Sequence, residues 1–380
     1  MNSILNEIRN LRGEDELNID FSNTDRYRVV INEENNTKTA YFFSSPIYRK
    51  DTLKAVALAF FKNGDKIHSQ GSNATVKYGD SIFMENEYGW CRIFIKASPK
   101  KFEERQLVTG EHTFFPTTNG FACKTKLSNY SAVKFEIELS SSLEVKTNGK
   151  YFALMRTRFQ PFLVASTIGT LSSEGEIVAP ASISYERSSG SNRFRLCVTP
   201  DASKGEFVFF EINMHEDKLV QDTTVESKNP TSNNVFGGTA FVGSTPHYGE
   251  QWLYSRFDFL RNNNLYAKTI HKIILHLPTY NPYTPNLTAY KTQARFCSFG
   301  SNWNNRVPAA APAERITRTQ GYIDVNVTAL FIDHRGRIFP DSCGLILRPM
   351  FLGHNFAVLS TADSMYAPQI YEIRYAEQAP

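Results

Sequence analysis

No run of residues in this chain is long and apolar enough to cross a bilayer as a helix. The longest apolar stretch, AVALAFF at 55–61, is about a third of the length a spanning helix needs. The N-terminus, MNSILNEIRNLRGEDELNID, sets acids and a glycine where a secretion signal carries an unbroken apolar core, so neither an export signal nor a membrane span is expected. Cysteine is scarce and odd in number. Cys91, Cys123, Cys197, Cys297 and Cys343 are widely separated, with no CxxC pair and no histidines at zinc spacing. That excludes a zinc cluster and a small-domain disulfide framework and predicts reduced core thiols. An excess of one charge is missing too. The formal net charge is +4, and residues 216–380 hold 15 Lys/Arg against 13 Asp/Glu, which assigns +2 to that part and +2 to the rest. Without a clustered basic stripe to displace counterions from phosphates, a nucleic-acid partner is excluded.

Sequence-visible catalytic signatures are equally absent. There is no GxSxG elbow, P-loop, GxGxxG, HExxH or EF-hand loop. The eight histidines are scattered, and the closest pair, His271 and His276, falls on opposite faces of the strand KIILH, which is wrong for a shared metal. Asp222, Asp258, Asp324 and Asp363 supply the carboxylates a glycosidase pair would need, but chain spacing does not set their separation in space. The reading is non-enzymatic, with no metal and no cofactor assigned.

What the chain does have is 29 Phe and 18 Tyr among many Asn, Ser and Thr, a mixture that favours strands and the turns between them. Its 380 residues predict two to three domains. Residues 2–12 place Ile4, Leu5, Ile8 and Leu11 on one side at helical spacing, ended by Gly13. A helix so short needs a partner surface, either its own domain or a neighbouring chain, and these four residues are the candidates for assembly. Strands are expected at RYRVVI (26–31), TAYFF (39–43), ATVKY (74–78) and WCRIFIKA (90–97). LKAVALAFF (53–61) is open between strand and helix, and SPKKFEERQLVTG (98–110) reads as an edge or boundary. In AVKFEIELS, Val133, Phe135, Ile137 and Leu139 alternate with charged residues, and SISYERSSGSNRFRLCV reads as a hairpin. Regularly spaced short strands without long helices predict an all-β chain of β-sandwich or jelly-roll modules in tandem with a short N-terminal helix. The expected division is an arm at 1–18, β domains at 19–110 and 111–215, which pattern alone leaves as one domain or two, and a last β-sandwich at 216–380.

The segments TTVESKNPTSNNVFGGTAFVG, YSRFDF, SNWNNRVP, GYIDVNVTALF and CGLILRP follow one another in an order resembling the DNRLRE-type domain over about residues 216–376. The resemblance implies a β-sandwich module of surface and secreted proteins that holds rather than catalyses. It implies a Trp-Asn-Asn loop whose Trp303 covers the end of the core. In YSRFDF, period two sets Tyr254, Arg256 and Asp258 on one face, with Arg256 and Asp258 as a surface ion pair. A surface-type module without an export signal is resolved by a phage or phage-like particle, whose proteins are made in the cytoplasm and released by lysis. The function expected is therefore a structural and attachment protein of such a virion or particle, homo-oligomeric and in contact with other particle proteins. The alternative is a carbohydrate-binding adhesion module, and a third is a glycan-cleaving enzyme. If a glycan is bound, the loop TYNPYTPNLTAY offers Tyr280, Tyr283 and Tyr290 among stiffening prolines.

Overall fold

The computed structural model describes residues 3–25, 27–47, 68–70, 74–95, 100–103, 106–127, 132–187, 192–201, 203–215, 219–257, 263–281, 287–312, 316–319, 321–339, 344–350 and 356–377. The chain is all-β. Among the described residues, twenty-nine strands lie in four sheets, with helix confined to Ser3–Arg12 and two single turns at Asn263–Tyr266 and Thr328–Phe331. The ambiguous segment 53–61 lies outside the described residues.

Two compact units divide the chain, and their boundaries differ from those expected. One unit is Tyr48–Asp217 with Phe236–Thr239, and the other is assembled from Met1–Ile47, Lys218–Val235 and Ala240–Pro380. Residues 19–110 and 111–215 are therefore not two domains. Residues 98–110 are no boundary either. They form the strands Lys100–Glu103 and Gln106–Thr109, paired at the edge of a sheet whose centre is Gly120–Lys126 and Phe207–Met214. Turn residues and charge marked the segment as punctuation, but edge strands carry the same composition because they face water.

In the contiguous unit, a nine-stranded and a seven-stranded sheet share one core of aliphatic side chains with a group of phenylalanines among them. Val133–Leu139 buries Val133, Phe135, Ile137 and Leu139 as its alternation predicted. Phe135, Phe210, Phe114 and Phe121 meet in edge and tilted contacts with ring centres 5.3–6.3 Å apart. Contacts of this kind add about 0.5–1.5 kcal/mol each beyond area burial. The expected hairpin is present, Ala181–Arg187 pairing with Arg193–Pro200.

The other unit is a sandwich of a six-stranded and a seven-stranded sheet around a second core. Its six-stranded sheet takes Arg28–Asn32 and Thr37–Phe43 from the N-terminal piece and pairs them, through Thr37–Phe43, with the last strand, Ile370–Ala376. Val30, Ala40 and Phe42 enter the same core as Leu275, Val325 and Tyr371, and Phe42 meets Phe257 edge-on at 5.0 Å. A sandwich closed within residues 216–380 is thus corrected: its sheet is completed by the beginning of the chain. Period-two patterning sets which face of a strand is buried but is silent on which strand lies beside it.

Candidate functional site

The seven-stranded sheet of this second unit turns an unusual set of side chains away from its core. In Gly249–Phe257, Leu253 and Phe257 point inward, so Trp252 and Tyr254 point out. The neighbouring strand Leu345–Pro349 is paired so that Ile346 lies opposite Tyr254, and Arg348 follows on the same outer side. Beyond it, Leu287–Thr292 sets Tyr290 opposite Ile346. Alternation alone therefore gathers Trp252, Tyr254, Ile346, Arg348 and Tyr290 on one outer face.

A covering loop adds two more members. Phe296 packs edge-on against Tyr254 at 5.5 Å, and the Tyr254 hydroxyl donates to the Val307 carbonyl at 2.7 Å. Between them the segment SNWNNRVP folds back and lays Trp303 against Trp252, ring centres 5.2 Å apart. The asparagines hold the turn. The Asn304 and Asn305 amides donate to Asn302 Oδ1, Asn305 Nδ2 donates to the Gly300 carbonyl, and Asn233 Nδ2 donates to the carbonyls of Ser298 and Ser301. Trp303 does not close the end of the main core, however. It belongs to a separate small cluster with Val225, Trp252, Tyr254, Phe296 and Ile346 on the outside of the sheet.

Two arginines complete the group. The Arg306 guanidinium lies 4.1 Å from the Trp303 ring centre and 4.9 Å from that of Trp252, and donates to the Trp303 carbonyl. That of Arg348 lies 4.1 Å from the Tyr290 ring centre and 5.2 Å from Trp252. Each such contact is worth about 0.5–2 kcal/mol, rising as water is excluded. Both charges are felt at Tyr254: burial raises its hydroxyl pKa, against the opposing pull of Arg306 and Arg348. The Glu250 carboxylate accepts from the Trp252 indole N–H at 2.7 Å. Trp252 is buried, whereas Trp303, Tyr290, Arg306 and Arg348 are half-buried.

Of the three tyrosines expected to act together, the two described ones, Tyr280 and Tyr290, do not share a loop. Tyr290 sits in a strand and joins this cluster. Tyr280 is half-buried, its amide bonded to the Val358 carbonyl beside Phe356–Ser360 at the opposite edge of the same sheet, and Tyr283 lies outside the described residues. Residue type and spacing alone do not mark Trp252, Arg306 and Arg348 as members of one group. The signal for Trp252 and Arg348 was their odd-even offset from Leu253 and Leu347, and Arg306 stands three residues from Trp303 within the quoted motif.

The unit's other sheet carries a polar centre of a different kind. His276 is buried, its Nδ1 2.7 Å from Asp324 and its Nε2 3.0 Å from Glu372 on the two flanking strands. Burial by itself would lower its pKa, but the hydrogen bonds and charges of Asp324 and Glu372 prevail and raise it to about 8. With both ring nitrogens engaged, the imidazolium is a cross-strand clamp with no lone pair left for a metal or a substrate proton. His271 is exposed at a bulge in the same strand. The helix Ser3–Arg12 lies near this face: Arg12 pairs with Glu33 at 3.1 Å, and the charge of Glu7 acts on Tyr322. Ile8, a candidate for contact with a neighbouring chain, is fully buried within its own chain, and Leu11 is half-buried. The side chains of Ile4 and Leu5 lie outside the described set.

Other expected residues are placed as follows. Arg256 is not a surface group. It is 8 % exposed and donates to Gln221 Oε1 at 2.5 Å, while Asp258 lies outside the described residues. Asp222 is buried and accepts from the Ala362 amide at 2.6 Å. Cys91, Cys123 and Cys197 are buried free thiols, and burial pushes Cys123 up to about 12. Cys297 is an exception to the core expectation, exposed where the covering loop turns, and Cys343 is outside the described residues. Among the described residues, no group of three or more His, Cys, Asp and Glu side chains is arranged to hold a metal, and no helix is long and apolar enough to cross a membrane. No protein-family model matches the chain, and no curated protein matches it significantly.

Proposed function

We propose that this chain is a non-enzymatic attachment protein of a phage or phage-like particle, gripping a saccharide through the outer face bearing Tyr290, Trp303, Arg306 and Arg348. The observation that carries the reading is the external aromatic cluster. Rings and guanidiniums that could have been buried or replaced by polar residues are instead stacked at the surface and fixed by a loop pinned with asparagine hydrogen bonds. Stiff, half-exposed aromatic side chains bind sugars with little loss of conformational freedom. The resemblance of residues 216–376 to the DNRLRE-type domain supports holding over catalysis. The carboxylate at the cluster, Glu250, is taken up by the Trp252 indole.

The test is retention on envelope polysaccharide from candidate hosts. Trp303→Ala and Tyr290→Ala together are expected to abolish retention with little change in melting temperature, because both side chains lie outside the main core. Retention that survives the double variant moves the site elsewhere. Release of reducing ends by the wild-type protein overturns the non-enzymatic reading.

A further inference from the structure

The arginines of the outer face are its least satisfied members. Among the described residues neither Arg306 nor Arg348 has a carboxylate partner. Arg306 spends one N–H on the Trp303 carbonyl, and otherwise both guanidiniums are in contact with rings. Two cations stand against the single carboxylate of Glu250, which already accepts from Trp252. A guanidinium lying over an aromatic ring keeps its in-plane N–H edge free, and that edge matches the two oxygens of a carboxylate. Both guanidinium carbons lie within 5.2 Å of the Trp252 ring centre, so they are separated by no more than about twice that distance.

Resting on the saccharide reading above, we infer that this face selects an acid-bearing sugar of the hexuronate or sialate kind. The carboxylate is received by Arg306 and Arg348, and the sugar ring is bordered by Trp303 and Tyr290. The geometry disfavours a neutral sugar, because it would leave both guanidiniums without a charged acceptor. It disfavours a long polyanion as well. Two unpaired cations release few counterions, and the chain offers no basic run to extend them. The site is preorganised, since the loop that carries Trp303 and Arg306 is tied by Asn233, Asn302, Asn305 and the Tyr254 hydroxyl.

The experiment measures binding of the full chain to polygalacturonate, alginate and polysialic acid, to the carboxyl-reduced form of each, and to polyglutamate. Wild type is expected to bind at least one acidic polysaccharide and to lose affinity by about tenfold or more when its carboxyls are reduced or when Arg306→Gln or Arg348→Gln is introduced, as the loss of a charge-assisted pair requires. Arg348→Lys, which keeps the charge and loses the fork, should fall between. Unchanged melting temperatures establish that the variants are folded. Equal binding to acidic and reduced polymers, with both glutamine variants unaffected and the Trp303→Ala and Tyr290→Ala double variant inactive, sinks the acid-specific inference and leaves the saccharide reading standing. Binding to polyglutamate as tight as to the sugars shows an anion patch and overturns the inference. Absence of binding to every acidic polysaccharide overturns it as well.

Discussion

The two sandwiches dress their outer faces in opposite ways. In the contiguous unit, the seven-stranded sheet alternates core residues with a ladder of charge. Glu138 lies opposite Arg193 and Arg92 on its two flanking strands and pairs with them at 3.0 and 3.7 Å, and Arg195 reaches Glu186 at 3.1 Å and Glu136 at 3.8 Å. Arg92, Arg193 and Arg195 each meet a carboxylate across the sheet, whereas Arg187, at the end of its strand, donates to Ser142 Oγ and lies 5.3 Å from the Phe194 ring centre. In the composite unit, the seven-stranded sheet turns Arg348 outward, but its neighbours are Trp252 and Tyr290, and among the described residues no acid pairs with it. A solvated sheet needs only the first arrangement. The second keeps apolar rings and charge together at the surface, the combination on which the proposed saccharide contact rests.

The largest effect expected from this comparison concerns how each unit is made. The composite sandwich draws Val30, Ala40 and Phe42 from residues preceding the contiguous unit. Expressed alone, residues 216–380 lack these side chains and leave the backbone edge of Ile370–Ala376 that normally pairs with Thr37–Phe43 unmatched. They are expected to aggregate or to melt without cooperativity by calorimetry. In the full chain, Phe42→Ala is expected to destabilise this unit by about 3–5 kcal/mol, the usual loss for a buried phenylalanine. A cooperative melt from residues 216–380 alone refutes the shared core.

What the sequence made legible follows the same division. Strand identity and facing could be read wherever burial alternates, as at Val133–Leu139 and at Tyr322–Asn326, where Ile323 and Val325 are fully buried. The partnership of Thr37–Phe43 with Ile370–Ala376 could not, because a pairing across more than three hundred residues leaves no local pattern. Half of the candidate site shared that fate. Trp303 and Tyr290 stood out as residue types, but their convergence needs the Phe296–Val307 excursion over the sheet. Arg348 looked like an ordinary outward arginine until its missing acid could be seen. Ile8 is open between docking on its own domain and on a neighbouring chain, because a short amphipathic helix carries no sign of the surface it docks on.

A smaller effect separates the buried clamp of the composite unit from the exposed charge ladder of its counterpart. The folded pKa of His276, about 8, lies above the ordinary histidine value near 6.5. Protonation therefore favours the folded state. The clamp's contribution is complete below about pH 6.5, is lost as pH rises through 8, and amounts to about 2 kcal/mol. Urea melts of the full chain at pH 6 and pH 9 should show this loss in the transition of the composite unit. His276→Gln is expected to flatten the dependence while lowering stability at pH 6. A wild-type transition equally stable at both pH values rejects a charged His276 in the folded state.

The smallest expected effect tests the ladder itself. Glu138 faces water and shares its carboxylate between two arginines that are themselves about half exposed. Solvent screening holds such pairs to about 0–1 kcal/mol, so Glu138→Gln is expected to shift the melting of the contiguous unit by no more than that, and less in 0.5 M salt than at low ionic strength. The substitution takes the shared carboxylate away from Arg92 and Arg193 on a sheet face. Arg92 also lies 5.7 Å from the Trp90 ring centre and 5.8 Å from that of Phe83, a coarse likeness of the composite unit's cluster. If unpaired charge beside rings were sufficient for binding, Glu138→Gln would acquire retention on acidic polysaccharide even in a Trp303→Ala and Tyr290→Ala background. No such gain is expected, because among the described residues of the contiguous unit no pinned loop holds a second ring and a second arginine over the first. Measured gain in that background would show that the contrast between the two faces is one of charge alone.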